Sequence, residues 1–121
     1  MVLVDTSIWI DHLRGGDAKL ARLLDEAKVL THPFIIGEIA LGNLRAPGHI
    51  LAAIDRLPKA NVASDTEILH FIAARSLCGL GIGLVDAHLL ASVFLTRDSA
   101  LWTRDKKLLA VASRLGVAAP T

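Results

Sequence analysis

Tyrosine is missing from this 121-residue sequence, and cysteine and methionine occur once each. The lone cysteine, Cys78, rules out an internal disulfide and a thiolate metal cluster. It suits a reducing compartment and reads as a small buried hydrophobe. Aromatic residues make up only 4% of the chain, so an aromatic platform for stacking bases is not expected. Trp9 and Trp102 read as core. An excess of one charge is also missing: 13 Lys and Arg face 12 Asp and Glu, for a net charge of +1. That excludes a nucleic-acid binder working by bulk charge alone. Long apolar runs are missing as well. Stretches free of Asp, Glu, Lys and Arg reach about ten residues, as in Ser76 to Val85, and a membrane-spanning helix needs about twenty. The opening MVLVDTSIWID carries no basic segment and has an acid at Asp5, unlike a secretory signal, so a cytoplasmic location is expected.

What is present is apolar. Hydrophobic residues are 53% of the chain, which excludes disorder as the main state. The length suits one domain spanning 1–121. The surplus apolar surface is expected in the core and in protein–protein contacts. Leu (21) and Ala (18) make up about a third of the sequence and favour helix. Between the helical patterns lie short runs that read as strands: Val2–Val4, Val29–Thr31, Asn61–Ala63, Ala100–Thr103 and Val117–Ala119. Helices are expected after Thr6–Ser7, after Asp17, from Pro33, from Pro47 to about Leu57, from the Ser64-x-x-Glu67 capping box to a stop at Gly79, from about Val85 to Thr96, and after Asp105 to Leu115. The alternation predicts an α/β fold: a parallel sheet of about four to five short strands with helices on both faces. In such sheets sites form beyond the carboxyl ends of the strands, where Asp5 and Asp105 fall.

Most of the twelve acids sit among polar neighbours or near helix starts. Three do not. Asp5 follows VLV, Glu38 lies within FIIGEIALG, and Asp86 lies within GLVDAHLLA. A carboxylate in an apolar frame costs several kcal/mol unless it is paired, neutralised or bound to metal. No Lys or Arg lies within four residues of Asp5 or Asp86. Asp105 is flanked by Arg104, Lys106 and Lys107, and stands out by following the strand ALWT. Taken singly, Asp5 and Asp86 read equally well as helix caps. Together the four predict an oxygen-only site for Mg²⁺ or Mn²⁺ and metal-assisted phosphoryl transfer or hydrolysis.

DTSIWID, the helical Glu38, GLVDAHLLA and LWTRDKKL, with the four acids at intervals of 33, 48 and 19 residues, resemble the PIN-domain ribonucleases, and most closely the VapC-type toxins of toxin–antitoxin systems. The resemblance covers essentially the whole chain. It implies a PIN-like α/β domain and an acidic cluster of Asp5, Glu38, Asp86 and Asp105 serving as catalytic and metal-binding residues. It also implies supporting hydroxyls at Thr6, Ser7 and Thr103. A further acid found in such proteins near the last one has no clear counterpart, because Asp98 precedes the strand. The implied activity is Mg²⁺- or Mn²⁺-dependent endoribonuclease cleavage by metal-activated water. The implied partners are an RNA substrate, a cognate protein antitoxin in an apolar groove, and a second copy in a homodimer. Apolar helices over Phe34–Leu44 and Ile50–Leu57 are candidate groove walls. Arg97, Arg104, Lys106 and Lys107 are the candidate phosphate contacts.

Two rival readings stand beside this one. A receiver-like phosphotransferase with a phosphorylatable Asp suits the length and the acid after the first strand, but that strand end carries Thr6–Ser7 where a second acid is wanted. A catalytically weak PIN-like binding module suits the apolar surplus and leaves the four acids unexplained. The five histidines show no metal-ligand spacing. Gly79–Gly83 lacks the Gly-Lys-Ser/Thr ending of a phosphate loop and reads as a helix stop and hinge.

Overall fold

The computed structural model describes residues 1–43 and 47–120. In chain order it contains β1 (Val2–Val4), α1 (Thr6–Gly15), α2 (Ala18–Asp25), β2 (Val29–Leu30), α3 (Pro33–Ala40), α4 (Pro47–Asp55), α5 (Asp65–Ala74), α6 (Leu84–Leu95), β3 (Ala100–Trp102) and α7 (Lys106–Arg114). The sheet is parallel, in the order β2-β1-β3. Adjacent strand residues point to opposite faces, and Leu3 and Val4 are both 0% exposed, so both faces of the central strand are covered. Helix α6 is buried at seven consecutive positions, Ala87 to Val93, and forms the middle of the helical packing.

Among the described residues the strand count is three, below the four to five expected. Of the two missing strands, Val117–Ala119 survives as one bridge, Leu101 with Ala118, while on the other edge a bridge joins Thr31 to Lys59, ahead of the expected Asn61–Ala63. Local chemistry stops both from growing. Pro58 accepts from the Thr31 amide but has no N–H to return. The Asn61 amide turns away to Thr96 Oγ1, 2.9 Å off, so Asn61–Ala63 is not a strand. On the other edge, the Val117 amide closes the end of α7 on the Ala112 carbonyl.

Helix boundaries follow their caps. Asp5, not Thr6 or Ser7, caps α1, and Asp17, Ser64 and Asp105 cap α2, α5 and α7. Helix α5 stops at Ala74, short of the Gly79 stop the sequence suggests. Ser76 takes the left-handed conformation, φ 54°, and the Leu77 amide reaches back to the Ile72 carbonyl at 3.0 Å. This is a Schellman closure with serine where glycine is usual. Cys78 lies past that turn and is exposed, contrary to its reading as a buried residue. Of the expected groove walls, Leu44 lies outside the described residues.

Candidate active site

Three acids are placed by the ends of β1 and β3 and the start of α6. Asp5 follows the central strand, whose ladder continues through its own amide to the Trp102 carbonyl at 3.0 Å. It is 6% exposed, yet its carboxylate accepts three hydrogen bonds. Oδ1 takes the Thr6 amide at 2.7 Å, while Oδ2 takes the Ser7 hydroxyl at 3.0 Å and the Thr103 hydroxyl at 2.7 Å. These donors replace the lost hydration and fix the carboxylate in place.

The hydroxyls also link the acids to one another. Thr103 Oγ1 donates to Asp5 and accepts from the Asp105 amide at 3.1 Å, joining the two aspartates through one buried side chain. Thr6 Oγ1 donates to Glu38 Oε1 at 2.7 Å, tying exposed α3 to the start of α1. Ser7 Oγ, while donating to Asp5, accepts from the Arg104 amide at 3.2 Å. Asp105 Oδ1 caps α7 through the Leu108 amide, 2.9 Å away. Asp86 accepts from the Gly83 amide at 3.0 Å and caps α6. Capping and membership of the acidic cluster are therefore compatible for Asp5, Asp86 and Asp105.

Asp86 reports the convergence electrostatically. Burial pushes its carboxyl above the ordinary range, and the charges of Asp5 and Asp105 push it further the same way, against the Gly83 hydrogen bond. The donor set is all oxygen, the chemistry that Mg²⁺ and Mn²⁺ prefer. Among the described residues no three acidic, histidine or cysteine side chains are gathered to enclose an ion by themselves. The residues thus fit a hard cation held by a few carboxylates, with water completing its shell, the usual manner of Mg²⁺.

The predicted basic residues divide. Lys106 and Lys107 are exposed on the first turn of α7, beside Asp105. A Cβ at Gly81 would lie 3.1 Å from Lys107 Nζ, so this lysine crosses the loop leading into α6. Arg104 is occupied internally: its guanidinium pairs with Asp11 of α1 at 2.6 Å and with Asp17, the cap of α2. Asp17 is held below the usual carboxylate range chiefly by that bond. Arg97 precedes β3 and sits at the opposite, amino end of the strands. Asp98 lies there too, its carbonyl accepting from the amino terminus at 2.9 Å.

Sequence reasoning passed over three residues. His12 Nδ1 accepts from the Asp17 amide at 2.9 Å, and His32 Nδ1 from the Phe34 amide at 3.0 Å. His32 thereby caps α3, while His12 ties the end of α1 to the start of α2, roles for which histidine gives no spacing signal. Arg14 lines a groove shared with Glu38, and a lone arginine at the end of an amphipathic helix does not stand out in a sequence. Trp9 and Trp102 are buried, as their core reading expects.

The PIN domain family model matches residues 2–114, and the chain belongs to that family. Within it the chain falls with the VapC-type ribonucleases. It is 44% identical over 118 residues to Ribonuclease VapC32 of Mycobacterium tuberculosis, in both strain CDC 1551 / Oshkosh and strain ATCC 25618 / H37Rv. Each match covers 98% of this chain and 95% of the relative. Family membership sets the receiver-like reading aside. No helix among the described residues is long and apolar enough to cross a membrane.

Proposed function

We propose that this protein is a Mg²⁺- or Mn²⁺-dependent endoribonuclease, acting in the cytoplasm as the toxin of a toxin–antitoxin pair. The observation that carries the reading is the gathering of Asp5, Asp86 and Asp105 from three elements at the carboxyl end of a parallel sheet, where burial first, and then the charges of Asp5 and Asp105, raise the Asp86 carboxyl. The likeness to a named ribonuclease supports the substrate. Asp5, Asp86 and Asp105, with Glu38 at the edge, would hold the ion. Once bound, it supplies Lewis-acid stabilisation of phosphate charge and water activated near neutral pH. The chain's own contribution is positional. Thr103, Ser7 and the Thr6 amide hold the Asp5 carboxylate in one orientation, and Thr103 carries that order to Asp105. Thr6 holds one oxygen of Glu38.

The antitoxin is assigned to the apolar furrow between α1 and α4, where Trp9, Leu13, Ile50, Ile54 and Leu57 line about 340 Å³. A homodimer belongs to the same reading. The deciding experiment incubates purified protein with total cellular RNA and Mg²⁺ or Mn²⁺, beside EDTA and Asp86→Asn controls, and sequences the new ends. Discrete cuts absent from both controls are expected. Near-wild-type turnover in Asp86→Asn, purified free of native enzyme, sinks the assignment.

A further inference from the structure

Four carboxylates repel the phosphates they are meant to cut, so the substrate needs cations beside the site. Arg104 is taken by Asp11 and Asp17, and Arg97 stands at the far end of the sheet. Lys106 and Lys107 serve only the Asp105 side. The Glu38 side has a groove of about 540 Å³ between α1 and α3, reaching Ile50 of α4. Its floor is apolar, with Ile10, Leu13, Ile39 and Ile50, and Glu38 stands at one end. Arg14 is its cation, exposed and paired with no acid among the described residues.

The groove is continuous with the site along one helix face. Thr6, Ile10, Leu13 and Arg14 are spaced i, i+4, i+7 and i+8, which places them on one side of α1. Thr6 is the residue that holds Glu38. Eight residues of helix set Arg14 about 12 Å beyond Thr6 along the axis. At that distance Arg14 meets a phosphate further along the strand, not the one being cut. Volume, apolar floor and, among the described residues, one cation match a nucleotide: phosphate on the guanidinium, base on the aliphatic side chains.

We infer that the α1–α3 groove is a subsite for the RNA strand flanking the scissile phosphate, with Arg14 contacting a neighbouring phosphate. The inference rests on the nuclease reading and deepens it. Position in the last turn of α1 also suits Arg14 to the helix dipole, so the test needs a readout that the dipole does not move.

The test measures anisotropy of a fluorescein-labelled phosphorothioate oligoribonucleotide, slow to hydrolyse and still singly charged at each linkage, in Mg²⁺ across a salt series. The proteins are wild type, Arg14→Gln, Arg14→Lys and Ile50→Ala. A phosphate contact is sequence-independent, so a generic strand serves. Arg14→Gln is expected to weaken binding about tenfold and flatten the log–log salt slope by about 0.7. Arg14→Lys should keep the slope, and Ile50→Ala should weaken binding without changing it. In cleavage assays Arg14→Gln should raise KM and leave kcat near wild type. Unchanged affinity and slope in Arg14→Gln overturn the inference. So does a wild type that binds no oligonucleotide, or a groove whose variants disturb only a protein partner. Wild type that binds the strand with the expected Arg14 effect but cuts no RNA leaves the subsite standing and removes the nuclease reading instead.

Discussion

Thr103 is the residue through which two of the acids share one anchor, and its hydroxyl is its whole contribution. Thr103→Val keeps the shape and removes the donor to Asp5 and the acceptor for the Asp105 amide. The expected result is a loss of about 1–3 kcal/mol in urea denaturation, with lower kcat. Thr103→Ser should restore most of both. His32 makes a separate prediction. It is 0% exposed, and burial first, then the neighbouring His88, lowers its pKa from 6.5 to about 4. The folded state therefore binds its proton less readily than the unfolded chain. Stability is full above the unfolded value near 6.5 and falls as pH drops towards 4, by up to about 3 kcal/mol. His32→Asn keeps a side-chain acceptor for the Phe34 amide. Urea midpoints between pH 7.5 and 4.5 should slope less in that variant than in wild type.

Asp5, Glu38 and Asp86 stood out at this scale because each breaks an apolar frame, and a misplaced charge is visible without coordinates; Asp105, among basic neighbours, stood out only by following a strand. The partners of Arg104 did not. RDKK reads as a basic surface patch, while Asp11 and Asp17 lie 93 and 87 residues away in sequence. His12 and His32 were equally hidden, since an imidazole accepting from a backbone amide needs no pattern around it.

Among the elements, helix starts were legible and helix ends less so. Ser64 and Glu67 form the capping box their spacing predicts, with both bonds near 3 Å. The end of α5 depends on Ser76 adopting a left-handed backbone, which no rule of composition assigns to serine. Ala27 ends α2 in the same way, at φ 56°. Each carries the strain of a Cβ in that region, about 1 kcal/mol. Ser76→Gly and Ala27→Gly are thus expected to stabilise the fold by about that amount each, read as a rise in melting temperature with cleavage unchanged. The outer strands shrank to single bridges for a related reason. Periodicity marks a run as fit for a sheet, but Pro58 and the closure of α7 decide how many of its amides are available.

For the whole molecule, the sum of charges near zero conceals a separation. Acids gather at one end of the sheet, and the cations in reach are dispersed around them or already paired. Such a site stabilises whatever cation fills it, and binding to the folded state alone raises stability. Added Mg²⁺ is expected to raise the melting temperature of wild type in a concentration-dependent way. Asp86→Asn should show little of this rise and a higher melting temperature without metal, because a like charge has gone. Equal responses in the two proteins would remove Asp86 from the ion's surroundings.

The order of the sheet also governs how the molecule comes into being. Its central strand is synthesised before both of its neighbours, and one of them, β3, waits until residues 100–102. Thr103, which secures Asp5, and Asp105 follow only then. A chain still emerging from the ribosome can form helices, but it has neither the long-range pairing nor the last carboxylate. Closure is a late, non-local event of the kind that slows folding. Catalytic competence therefore waits on β3 and the residues that follow it. A fragment left by interrupted translation is incompetent by construction, and the interval before closure is when a nascent chain is most open to capture by a partner.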